Sequence, residues 1–162
     1  MSYLRVFCTE EKIPPLGEIL KWAKLQGHNL RIDKSFTEET DISAGEWDTA
    51  AILDEDGRRA FICEVNKEEG NEESIMREEI EEFKELLKEV EEFPFEDLGK
   101  VLKHLNETKY IIVAQPLSEE VDEAGDSAIN VFLQYFVVNQ GGMVQEDGEG
   151  FYEGDKIIVG IE

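Results

Sequence analysis

Cysteine and histidine are the side chains best suited to nucleophilic and acid–base work near neutral pH. This chain has two of each: Cys8, Cys63, His28 and His104. Cys8 closes an apolar run, Tyr3-Leu-Arg-Val-Phe-Cys8, ahead of a helix that opens at Pro14-Pro15. A thiol at the carboxyl end of a strand and before a helix stands where sites gather in open α/β sheets, and a helix N-terminus can lower its pKa. Cys8 is therefore the catalytic candidate. A nucleophile also needs a base, and neither His28, in a turn after the first helix, nor His104, near the end of a short one, is spaced to form a dyad. Simple packing explains both cysteines as well.

A second group of residues could bind rather than react. Ser127, Asn130 and Gln134 recur at three and four on an otherwise apolar stretch, which puts them on one helix face. Buried amides demand partners, so Asn130, Gln134 and the neighbouring Tyr135 are candidates to line a ligand pocket. The same stripe equally suits the solvent edge of the helix. Two acidic tips, Asp54-Glu-Asp-Gly57 and Glu146 to Asp155, offer hard oxygens of the kind that hold Ca²⁺ or Mg²⁺. Neither has the twelve-residue ligand spacing of an EF-hand, and turn formation accounts for their Asp and Gly, so no metal is expected. Gly141-Gly142 follows a helix instead of opening one, which excludes a phosphate loop. No cofactor is expected, and carboxylates are too many for one pair to stand out as acid and base.

Those carboxylates are the dominant feature. Acids outnumber bases 39 to 16, a net charge of −23 on 162 residues. The excess is uneven. Residues 64–97 hold fifteen acids and four bases, and residues 118–162 hold eleven and one, whereas 1–36 and 98–117 are each slightly basic. Such a field repels phosphate backbones and anionic lipid, so direct binding to nucleic acid or a membrane is not expected. Basic proteins are its natural partners. No apolar run approaches the ~20 residues of a membrane span, the first residues lack a signal-peptide core, and two isolated cysteines suit a reducing compartment. The expected location is the cytoplasm.

The elements that carry these residues follow from periodicity. Strands are expected at Tyr3–Cys8, Asn29–Phe36 and Lys109–Gln115, the last a continuous apolar run of the kind buried on both sides at a sheet centre. Apolar runs at 47–53 and 59–65 around an Asp-Gly turn read as a hairpin. Residues 68–93 read as a long amphipathic helix: Met76, Ile80, Phe83, Leu87 and Val90 form its apolar stripe, and Glu crowds the other side. A short helix at 96–105 follows Pro94. Residues 126–139 form a helix apolar nearly all round, hence buried on most sides or facing a second subunit. Strands at 143–145 and 156–161 flank the second acidic tip.

Together these elements predict a single α+β domain over 1–162, a mixed sheet with helices mainly on one face. The order strand, helix, glycine stop, strand, acidic turn, strand occurs twice, which suggests two βαββ repeats, 3–66 and 109–161, linked by helices within 68–105. The expected function is that of a non-catalytic binding or regulatory protein. Its acidic surface, with Glu78, Glu81, Glu82, Glu85 and Glu89 at its centre, would recognise a basic protein partner. The alternative is an enzyme or small-molecule binder with a pocket between the sheet and helix 126–139. A third expectation is a homodimer that buries that helix.

Overall fold

The computed structural model describes residues 3–34, 47–67, 75–91, 94–117 and 123–161. The fold is α+β. Eight strands form one open sheet: β1 (Leu4–Cys8), β2 (Arg31–Ile32), β3 (Thr49–Leu53), β4 (Arg59–Lys67), β5 (Tyr110–Pro116), β6 (Met143–Glu146), β7 (Gly150–Glu153) and β8 (Lys156–Gly160). Among the described residues four helices accompany them: α1 (Leu16–Leu25), α2 (Ile75–Leu87), α3 (Phe95–Glu107) and α4 (Glu123–Asn139). The spatial order is β2-β3-β4-β5-β1-β6-β7-β8. Among the described residues every pairing is antiparallel, so this sheet is not mixed.

The helices divide between the two faces instead of gathering on one. The cause lies in the central strands. Successive side chains point to opposite sides of a strand, and β1 and β5 are apolar at nearly every position. Val6, Cys8, Tyr110, Ile112 and Ala114 face α1 and α4, whereas Phe7, Ile111 and Val113 face α2 and α3. A strand apolar on both sides needs cover on both sides. The α1/α4 core is the larger, built on Leu16, Ile19, Phe61, Phe132 and Phe136. The α2/α3 core is smaller and centres on three rings. Phe7 meets Phe83 edge-on at 5.6 Å, and Phe151 lies 5.8 Å from Phe7 and 5.5 Å from Phe83.

The hairpin at 47–65 forms as β3 and β4. Its tip explains the acidic residues there: Asp54 is buried, and its Oδ1 accepts the backbone N–H of Asp56 at 2.9 Å and of Arg58 at 3.0 Å. That carboxylate closes a turn. The second acidic tip, expected as a loop joining two strands, contains a third. β7 pairs with both β6 and β8, because Gly148 and Gly154 allow two tight turns within a few residues and leave Phe151 to enter the core.

The element order β1-α1-β2-β3-β4 recurs as β5-α4-β6-β7-β8. The spatial order does not repeat with it. β6 lies beside β1, while its counterpart β2 lies at the far edge of the sheet. The two halves run their three-strand sets in opposite order outward from the central β5–β1 pair, so they are not two copies of one topological unit.

Candidate functional site: the outer surface of α2

α2 forms where the sequence places Met76, Ile80, Phe83 and Leu87 on one stripe, and these four side chains are buried against the sheet. The rest of its circumference sorts into bands. At about 100° per residue, Lys84, Arg77 and Lys88 fall together on one flank, the last in the turn that continues the helix. Glu81, Glu85, Glu78, Glu89 and Glu82 follow over roughly the next 100°. Ile75 and Leu86 come next, beside Glu79. All five of those glutamates are exposed. So are Ile75 and Leu86, at 60% and 42%. The helix thus shows solvent an acidic band bordered by two large apolar side chains about 16 Å apart along the axis.

The cations of α2 neutralise only part of this band. Lys84 Nζ lies 3.5 Å from Glu81 and Lys88 Nζ 2.8 Å from Glu85, both at i,i+3. Exposed pairs of this kind contribute little, because water screens them and holding two long side chains in one geometry costs entropy. The neighbouring carboxylate raises the Lys88 pKa. Among the described residues, Glu78, Glu82 and Glu89 have no cation within ion-pair distance.

Glu79 behaves differently, and the sequence did not single it out. Its side chain is 16% exposed, and its Oε2 accepts Nε of Arg5 at 2.7 Å. Its Oε1 accepts the Asn66 amide. The same Arg5, from β1, donates through Nη1 to Asp147 Oδ1 at 2.6 Å and Gln145 Oε1 at 2.9 Å. Its guanidinium carbon lies 5.3 Å from the centre of the Phe83 ring and 5.6 Å from that of Tyr3. Burial alone would raise the Asp147 pKa, but hydrogen bonds from Gln145 and Arg5, the Arg5 charge and the Tyr3 N–H together hold it below its ordinary 3.8. The sequence carries one hint of this network: Arg5 is a lone cation inside an apolar strand.

Glu146, next to Asp147, is shifted the other way. Burial, then the Glu149 charge, raises its pKa above the ordinary 4.5 despite a hydrogen bond from Tyr152, with smaller contributions from Asp126 and Asp147. A carboxyl that binds its proton more tightly in the folded chain contributes stability fully present below the unfolded pKa and lost as pH rises through the folded one. Glu146→Gln should therefore remove a loss of stability that the wild type shows as pH climbs from 4.5 through the raised value. Urea midpoints measured across that window check it, and parallel profiles for the two proteins would contradict it. Asp147 has the opposite sign, so its contribution is present above 3.8 and disappears on further acidification.

The other sequence candidates do not converge. Cys8 is fully buried, its thiol pushed well above the ordinary cysteine range by burial despite a polar contact with Tyr110, and Sγ lies 3.6 Å from the Val6 carbonyl. Such a thiol stays protonated and is no nucleophile. Cys63 is equally buried and raised. His104 lies on the other side of the sheet from Cys8, where its Nε2–H donates to the Phe7 carbonyl at 2.7 Å. His28 Nδ1 lies 3.9 Å from Glu55. Asn130 and Gln134 are exposed, because Ile129, Phe132, Leu133 and Phe136 turn the opposite side of α4 toward the sheet. Tyr135 is buried edge-on to Trp22 at 5.7 Å, and burial, then the Glu18 carboxylate it donates to, raises its pKa. A pocket shared by Cys8, Asn130, Gln134 and Tyr135 is thus not what the fold builds. α4 turns most of its apolar surface to its own sheet and α1, leaving Val138 exposed.

An open groove of about 500 Å³ lies between α2 and α3, floored by Met76, Ile80 and Leu105 and walled by charges of both signs. Among the described residues no group of three or more His, Cys, Asp or Glu side chains is arranged to hold a metal ion, and no helix is long and apolar enough to cross a membrane. No protein-family model matches the chain, and neither does any curated protein or solved structure.

Proposed function

We propose that this is a non-catalytic binding or regulatory protein whose α2 surface receives a basic protein partner. The observation that carries this reading is the banding of α2. Its cations are confined to one flank, leaving Glu78, Glu82 and Glu89 unpaired among the described residues and exposed beside Ile75 and Leu86. A solubilising coat requires no such sorting. Carboxylates in a band steer a cationic partner and set its register, and adjacent apolar side chains add contact area that charge alone cannot. The net charge of −23 disfavours nucleic acid and anionic membranes as partners and disfavours self-association. Two buried, unpaired thiols support a cytoplasmic setting.

The test compares two variants of equal charge. In one, Glu78, Glu82, Glu85 and Glu89 become Gln; in the other, the exposed Glu10, Glu11, Glu107 and Glu123 do. Binding of a lysine-rich polypeptide at low ionic strength should weaken by about tenfold or more in the first and far less in the second. Equal losses in the two would reduce the acidity to a general field and sink the proposal.

A further inference from the structure

Arg5 joins parts of the chain that are remote in sequence. Through Glu79 it holds α2, at the centre of the acidic segment 64–97. Through Asp147 and Gln145 it holds the β6–β7 turn, within the acidic segment 118–162. Two carboxylates of a strongly acidic protein therefore face each other across one guanidinium, each partly withdrawn from water, with 16% of the Glu79 side chain and 35% of the Asp147 side chain exposed. We infer that Arg5 is a positioning residue for the acidic surface, an ionic latch that seats α2 on the sheet. This rests on the α2 reading only in choosing α2 as the element of interest.

Three observations support it. The guanidinium is the group that separates the two carboxylates, so its removal leaves like charges close together in a half-buried space. Its planar fork reaches both at once, which a lysine ammonium cannot do with the same geometry. It also lies against the Phe83 ring, which is part of the apolar stripe of α2. The α1/α4 core, on the other side of the sheet, takes no part in this network. Loss of the latch should thus loosen α2 and the β6–β7 turn and spare α4.

Amide hydrogen exchange on the full chain reads this directly, with no partner present. In Arg5→Met, amides of 76–87 and 145–149 should exchange about tenfold faster or more, while those of 129–136 stay within about twofold. Arg5→Lys should restore part of the protection. Glu79→Gln, which keeps Arg5 paired with Asp147, should loosen α2 alone and serves if Arg5→Met does not fold. Uniform acceleration over both faces would make Arg5 an ordinary stability residue, and unchanged exchange at 76–87 would remove the latch; either result overturns the inference. Failure of the lysine-rich probe to bind would instead count against the proposed function and leave the latch standing.

Discussion

Phe7→Ala is expected to destabilise the protein by about 4 kcal/mol, the range found when a fully buried phenylalanine is truncated and its site cannot collapse. Phe7 is fully buried on β1, a strand paired on both sides, to β5 and to β6. Its ring packs against both Phe83 of α2 and Phe151 of β7. Removing it empties the middle of the smaller core, and the backbone of a doubly paired central strand cannot move in to fill the space. For a chain of this length the loss corresponds to a fall in Tm of about 8–16 °C. Thermal unfolding followed by circular dichroism measures it. A fall of only a degree or two would mean that α2 and α3 close over the gap, and that this face is far more plastic than its ring packing implies. A substitution this costly consumes a large share of the ~5–15 kcal/mol that holds a typical domain together.

Gly150→Ala should cost at least about 3 kcal/mol, for two reasons that add. The backbone there has φ +139, a region that residues with a side chain scarcely occupy. A methyl group would also stand 2.2 Å from the Val159 carbonyl oxygen and 2.7 Å from the Gly160 Cα, both backbone atoms of the neighbouring strand. Gly150 pairs with Gly160 at one end of the β7–β8 ladder, so the clash falls on the hydrogen-bonded register itself. Gly154, in the following turn, provides the control. It has φ +65 and open space where a Cβ would stand, so Gly154→Ala should cost only the ~1–2 kcal/mol of the left-handed conformation. Urea unfolding of the two variants should therefore separate them clearly. Equal, small losses would show that β7–β8 can shift register around the added carbon.

Much of the architecture was legible from the residues. The Asp-Gly turn between two apolar runs specified β3 and β4. The apolar stripe of α2 and the nearly all-round apolarity of α4 specified which sides each would bury. The continuous apolar run at β5 announced a strand buried on both faces, and that run already contained the correction to the expected layering. A central strand apolar on both sides cannot be served by helices on one. The sheet carries two helices on each face for that reason. β7 was harder to see, since four residues between two acidic turns offer too short a pattern to register as alternation.

The candidate residues divide in the same way. The exposure of Glu78, Glu81, Glu82, Glu85 and Glu89 followed from helix periodicity and needed no fold. Cys8 and the pair Asn130 and Gln134 could not be interpreted without one, because their meaning depends on what lies across from them. In the fold Cys8 faces Tyr110 and the underside of the α1/α4 layer, whereas the two amides look outward.

What the sequence determined by itself was local: most of the strands and helices, the apolar sides of those helices, and a charge excess heaviest in the segments 64–97 and 118–162. Each follows from interactions within a few residues, where period and turn chemistry suffice. The tertiary structure alone decided that Glu79 meets Arg5, that Asp147 joins it from the far end of the chain, and that the two outer three-strand sets diverge from the central β5–β1 pair. These depend on the order in which strands assemble into the sheet. That order is selected by burial of both sheet faces at once, and no window of neighbouring residues contains it.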